Sequence, residues 1–320
     1  MLSNFKNIVN QLWSISLEPY LGNLPLIKLH WQDVKYQPSL ESGIQKFQER
    51  WSNIKSSNQT KPIFIFSAGW RSGSTLLQRL IMSSKEVMIW GEPYSHNYLI
   101  QSLSSPLKGI TDKYPRSSWF LNHDQVDDLT QLFIANLYPD PQYLLKAHIA
   151  FLDNLFALPA QEKGFSRWGF KDVRLSIDSA IYLKWLFPQA KFIFLYRNPY
   201  KAYASFAGYY WYQKWPKQPV YTPKHFGKNW TYLVKSYLDK YQQVEGKLIS
   251  YEDLCSENFD FEELADYLEL SIDQSIIDVK VTGNSKMQKK EKYYDARHLK
   301  VLQKYVEPLA FNLGYTYLKI

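Results

Sequence analysis

The sequence predicts an α/β fold: a P-loop-like three-layer sandwich with a central, mostly parallel sheet and helices on both faces. Three observations carry that expectation. The run Ile63, Phe64, Ile65, Phe66 is short and wholly apolar, as a strand buried on both faces must be. It runs into a glycine-bearing turn, Gly69 to Gly73, after which Leu76, Leu77, Leu80 and Ile81 recur at helical spacing from Thr75 onward. A second apolar run, Lys191 to Tyr196 (KFIFLY), is bracketed by helical patterns over Ser176 to Leu186 and Lys201 to Trp211. Both strands lead directly into arginine-bearing turns, and in such sheets ligands sit beyond the carboxyl ends of the strands.

The remaining elements follow in order. Residues 1–59 carry scattered tryptophans (Trp13, Trp31, Trp51) and end in the polar stretch Lys55 to Thr60, so a helical N-terminal layer and a linker are expected there. Asp124 to Leu137 reads as a helix and Tyr143 to His148 as a short strand. Pro216, Pro219 and Pro223 argue for an aromatic, basic loop over Tyr209 to Lys228, a cover for a cleft or ordinary surface packing. Lys247 to Tyr251 (KLISY) is a further strand. With no internal repeat, one domain over 1–320 suffices, with its core at 61–254 and C-terminal helices and a late loop at 255–320.

Composition narrows the chemistry. The 320 residues carry 38 Lys and Arg against 30 Asp and Glu, a formal charge of +8 that favours anionic ligands. Cys255 is the single cysteine, which excludes an intrachain disulfide and a thiolate cluster; it reads as an inert packing residue. The six histidines show no ligand spacing, and His96, close after Glu92, reads as a surface or capping residue. The sequence shows no secretion signal and no run of apolar residues long enough to span a bilayer, so the expected location is cytoplasmic. No nucleic-acid-binding signature accompanies the aromatic segment, and no nucleic-acid partner is expected.

The first turn is built as an anion seat. Gly69 and Gly73 let the backbone curl around a ligand, and the helix that follows offers free N–H groups and its positive end. It resembles a nucleotide P-loop but fails that pattern: the glycines are one residue too close and no lysine precedes Ser74 or Thr75. Arg71 supplies the charge instead, and its planar guanidinium suits a phosphate or sulfate held through two oxygens. Arg197, Asn198 and Pro199 follow KFIFLY, with Ser205 about two turns into the next helix, where its hydroxyl can join Arg197 on a second phosphate. Read alone, Arg197 fits a partner for a surface carboxylate better than a ligand contact, with Ser205 a neutral helix residue.

These residues resemble a known family. Arg71-Ser-Gly-Ser-Thr75 after an apolar strand is similar to the 5'-phosphosulfate loop of sulfotransferases that use 3'-phosphoadenosine-5'-phosphosulfate (PAPS). Arg197-Asn-Pro with Ser205 resembles their 3'-phosphate-binding element, and Tyr251-Glu-Asp-Leu254 the strand end that follows. Glu92 in Trp90-Gly-Glu-Pro93 and Lys171-Asp172 look most like the tyrosylprotein and bacterial carbohydrate-type branches. The resemblance implies PAPS as donor, with no metal expected. It implies Ser72, Gly73, Ser74, Thr75, Leu76, Tyr251, Ser285 and Lys286 as donor contacts beside Arg71, Arg197 and Ser205. Glu92 is then the general base, with Arg71 and Lys171 stabilising the transferring group. The acceptor is expected to be a free hydroxyl on a carbohydrate, glycolipid or small metabolite. A peptide tyrosine, a magnesium-dependent P-loop kinase and a non-catalytic nucleotide-binding protein are the alternatives. Oligomeric state and the role of the N-terminal segment stay open.

Overall fold

The computed structural model describes residues 39–121, 129–131, 134–207, 220–279 and 296–317, without the side chain of His96. Leu40–Ile320 forms a first compact unit. Within the first unit, chain order runs α1 (Leu40–Arg50), β1 (Ile63–Ser67), α2 (Ser74–Met82), β2 (Val87–Trp90), α3 (Leu99–Ser104), α4 (Pro141–Leu152) and β3 (Arg167–Asp172). It continues through α5 (Ile177–Leu186), β4 (Lys191–Tyr196), α6 (Pro199–Ala207), α7 (Pro223–Lys240), β5 (Lys247–Ser250), α8 (Phe261–Leu268) and α9 (Ala296–Val306). The five strands make one sheet in the order β2-β3-β1-β4-β5, every pairing parallel. This is the expected α/β sandwich.

The sheet has two chemically different faces because its central strands alternate aromatic and aliphatic residues. Phe64 and Phe66 of β1 join Phe170, Phe192 and Phe194 on one face, while Ile63, Ile65, Ile89, Ile193 and Leu195 occupy the other. On the aromatic face the rings pack in tilted and edge contacts, with Phe64 4.8 Å from Phe170 and 5.4 Å from Phe192. Helices α1, α4, α5 and α7 contribute to that layer. On the aliphatic face Leu77, Leu80 and Ile81 of α2 and Leu264 and Leu268 of α8 close the core. All five residues of β1 are buried, which fixes this strand at the centre. Beyond the aromatic layer, α1 and α4 border an apolar cleft of about 490 Å³ that includes Phe47, Trp51, Ile110, Phe120 and Leu144.

Several expectations are corrected. Tyr143 to His148 is not a strand but the interior of α4, which Asp140 caps by accepting the Gln142 N–H at 2.8 Å, with Pro141 in the first turn. Leu145, His148 and Leu152 are its buried face. The supposed loop over Tyr209 to Lys228 ends earlier: Pro223 opens the 18-residue α7, and Thr222 caps it by accepting the His225 N–H. Proline at a first helical position has no N–H to lose. Residues 208–219, with Pro216 and Pro219, lie outside the described residues, and so does half of the helix expected over Asp124 to Leu137; of the other half, Leu129–Gln131 is a single 3-10 turn and residues 134–137 are not helical. The helix expected at Lys201 to Trp211 begins at Pro199, and its described part ends at Ala207. The C-terminal residue of KLISY, Tyr251, opens a one-turn helix. Cys255 is exposed rather than packed. Among the described residues no helix is long and apolar enough to cross a membrane.

The pairing of β3 with β1 depends on Gly169, which lies opposite Ile63; a Cβ there would fall 1.8 Å from the Ile63 carbonyl oxygen. Gly169→Ala must push the two central strands apart. We expect it to destabilise the protein by about 3 kcal/mol or more, read as a lowered urea midpoint.

Candidate active site

The carboxyl ends of β1, β3 and β4 each lead into a turn bearing an arginine: Arg71, Arg174 and Arg197. Around the first, the chain takes three left-handed conformations, at Gly69 (φ 83°), Arg71 (φ 65°) and Gly73 (φ 95°). Gly73 is the N-cap of α2 and offers no side-chain cap, so the Ser74 and Thr75 N–H groups are unclaimed by the helix itself, while the Leu76 N–H donates to the Gly73 carbonyl at 2.9 Å. The turn is held from inside. Ser72 is buried, and its hydroxyl meets Ser67 Oγ and donates to the Gly69 carbonyl at 2.8 Å. That side chain is committed to the turn, so Ser72 can serve a ligand only through its backbone. Ser74 is buried, Leu76 is half-buried, and Thr75 is exposed.

The second turn is latched onto the first. Arg197 Nη1 donates to the Arg71 carbonyl at 2.9 Å, and the Arg71 Nε donates to Ser205 Oγ at 3.0 Å. Ser205 therefore meets Arg71, whereas the sequence reading paired it with Arg197. The Arg197 guanidinium lies 4.2 Å above the Tyr251 ring, which itself rests against Gly73. Burial and a hydrogen bond with Cys255 push the Tyr251 phenol up, keeping it protonated. Asn198 explains the motif it belongs to: its Oδ1 accepts the N–H groups of Tyr200 (2.9 Å) and Lys201 (3.2 Å), capping α6 ahead of Pro199. Its own N–H points to the Glu252 carboxylate at 3.3 Å, and Trp230 Nε1 donates to the Arg197 carbonyl at 2.9 Å.

Across β1 lies an acidic and basic group of side chains. Lys171, in register with Ile65, is buried and donates to Glu92 Oε1 at 2.7 Å. Thus Glu92 is not a solvated turn carboxylate, and Lys171 does not pair with Asp172. Glu92 Oε2 is 3.5 Å from Arg174 Nη1, yet the carboxylate side chain keeps 23% of its exposure, enough to be reached from outside. Asp172 is fully enclosed and accepts the Arg174 N–H at 2.7 Å. Burial pushes its carboxyl up to about 6, with Glu92 adding to the rise and Ser95 and Arg174 opposing it.

Sequence reasoning missed Arg174, Ser95 and Trp70. The signal was available for Arg174, since the rule that singled out Arg71 and Arg197, an arginine just past a strand, applies equally to it. It was passed over because β3, with Arg167, Gly169, Lys171 and Asp172, does not read as a buried strand. His148 is a core residue, its Nδ1 2.7 Å from the Tyr182 hydroxyl, and burial lowers its pKa. Ser285 and Lys286 lie outside the described residues. Among those described, no three His, Cys, Asp or Glu side chains converge as metal ligands.

The fold and this cluster define a parallel α/β protein with two linked arginine turns at the carboxyl edge of its sheet and a paired carboxylate and lysine beside them. The chain belongs to the sulfotransferase family, whose sequence profile matches residues 62–274, more than half of its length. Two solved structures are similar to it: a sulfotransferase domain from the curacin biosynthetic pathway (14% identity, TM-score 0.40, covering 81% of this chain and 99% of that one) and a sulfotransferase from Alicyclobacillus acidocaldarius (16%, 0.41, 80% and 97%). No curated protein matches the chain.

Two stability measurements check this geometry. At Gly73 a Cβ would fall 2.1 Å from the Tyr251 ring, and the left-handed backbone alone costs a non-glycine residue about 1–2 kcal/mol. Gly73→Ala should lower the melting temperature, and Gly73→Ala combined with Tyr251→Ala should lose less than the two single changes summed. Asp172 holds its proton more tightly folded than unfolded, so its contribution is full below about pH 4 and is lost as pH rises through about 6. Relative to Asp172→Asn, the wild type should lose about 2 kcal/mol of unfolding free energy between about pH 4 and about pH 7, measured by urea titration at stepped pH.

Proposed function

We propose that this protein transfers the sulfonate of PAPS to a hydroxyl of a carbohydrate, glycolipid or small metabolite, with Glu92 as general base. The observation that carries the reading is the latch between Arg197 and the Arg71 carbonyl, which brings two cationic turns to one edge with the Lys171–Glu92 pair on the other side of β1. The residues suit a nucleotide with a phosphate at each end. Arg197 Nε is buried without a hydrogen-bond partner among the described residues, an orphan donor of the kind an anion satisfies. Family membership implies PAPS as the compound that fills this place.

In this reading Arg71, Ser74, Thr75 and Leu76 hold the 5' end, with Ser72 and Gly73 contributing backbone, and Arg197, Ser205 and Tyr251 hold the 3' phosphate. Ser285 and Lys286 are assigned to the donor from the family resemblance. The donor supplies a sulfonate activated by a bisphosphate leaving group. Glu92 accepts the proton of the acceptor hydroxyl as that oxygen bonds to sulfur and the sulfur–oxygen bond to the leaving phosphate breaks. One Glu92 oxygen is occupied by Lys171, but each carboxylate oxygen has further lone pairs to receive the proton. Lys171 and Arg71 stabilise the negative charge that develops on the transferring group and the leaving phosphate.

The test is incubation of the purified protein with labelled PAPS and a panel of sugar, lipid-linked, phenolic and tyrosyl-peptide hydroxyls, with and without chelator. We expect PAPS-dependent product in both conditions; transfer that instead requires a nucleoside triphosphate and magnesium overturns the proposal. Glu92→Gln should lower kcat about 10²- to 10⁴-fold with donor affinity kept. Arg71→Ala and Arg197→Ala should each weaken donor binding about tenfold or more, measured by calorimetry.

A further inference from the structure

We propose that Arg174 is a positioning residue for Glu92, clamping the turn that carries this carboxylate onto the end of β3. The inference rests on Glu92 being the base. The turn after β2 needs an external hold: Tyr94 and Tyr98 both adopt left-handed backbone, at φ 52° and 53°, a conformation that large side chains keep only when their surroundings enforce it. Between those two tyrosines sits Ser95, buried, and Arg174 Nη1 donates to its hydroxyl. The same nitrogen lies 3.5 Å from Glu92 Oε2. One guanidinium thus reaches both the turn and the carboxylate that the turn presents.

Arg174 is itself fixed on other sides. Its side chain is 7% exposed, its guanidinium carbon stands 5.0 Å from the centre of the Trp70 ring, and its backbone N–H is bound by Asp172. Trp70 is in turn stacked on Phe206 of α6, ring centres 5.8 Å apart. With Lys171 on Oε1 and Arg174 near Oε2, the Glu92 carboxylate has its plane set from both oxygens. A base held this way presents its free lone pairs in a constant direction, and a displacement of about 1 Å in such a group costs roughly 10²-fold in rate.

The experiment is a kinetic double-mutant cycle in the full chain, with PAPS and any acceptor that turns over. Arg174→Gln should lower kcat roughly 10- to 100-fold while the donor KM changes less than about threefold. Arg174→Lys keeps the charge over Trp70 but not the fork, and should recover part of the loss. The deciding readout is the Glu92→Gln background, where Arg174→Gln should cost no more than about twofold, because there is no base left to aim. An equal loss in both backgrounds, or a raised donor KM with kcat preserved, overturns the proposal. Ser95→Ala removes a single hydroxyl and carries the same cycle if Arg174→Gln no longer melts cooperatively. Full turnover in Glu92→Gln alone is a separate result that removes the base assignment itself.

Discussion

The hydrogen bond from Arg197 to the backbone carbonyl of Arg71 is the constraint on which the rest of the edge depends. Arg71 has a left-handed backbone, which turns its carbonyl away from any helical or ladder partner. Arg197 provides the partner. Because Arg197 is also seated over Tyr251, and Tyr251 fills the space that a side chain at Gly73 would need, the two turns and the third strand end form one closed set of contacts. Trp230 and Asn198 tie the second turn to α7 and to Glu252 and so hold the arrangement from behind.

The other side of β1 solves a related problem. A lysine buried at the end of a central strand is costly unless paired, and Glu92 pairs it. Asp172, one residue on, faces the aromatic layer and is enclosed there, which is why its carboxyl is pushed up while Arg174 and Ser95 pull it back. The alternation of a parallel strand thereby sends two neighbouring charged residues to opposite faces. Lys171 reaches the half-buried Glu92, whereas Asp172 anchors the backbone of the turn that presents Arg174.

Much of this was legible in the residues. Ile63 to Phe66 and KFIFLY announce themselves because a strand buried on both faces has no polar residue to blur it, and the turn glycines are required by positive φ. Strand β3 was not legible, because Arg167, Gly169, Lys171 and Asp172 make it look like a loop; its burial comes from neighbours that satisfy those groups. Helix α4 looks like a strand over Tyr143 to His148 because its N-terminal signal, Asp140-Pro141, lies just ahead of that run. Pro223 misled in the opposite way, since a proline that ends one helix can begin another. Which residues share the site was half visible: Glu92, Lys171, Arg71, Arg197 and Ser205 could be named, but their pairings depend on which face each strand end turns toward.

The contact of Trp230 with the Arg197 carbonyl gives α7 a mechanical role. At 1.5 Å per residue the helix is a lever about 27 Å long, and Trp230 stands about 10 Å from its Pro223 end, nearer that tip than the other. On its outer side Gly227 lets Tyr305 of α9 approach, and Thr231 Oγ1 donates to the Tyr305 carbonyl at 2.7 Å. The indole is therefore a fulcrum. Whatever pulls on the chain ahead of Pro223 is resisted within two turns of helix by the Arg197 carbonyl, so force applied at that tip is felt first in the turn that carries this arginine.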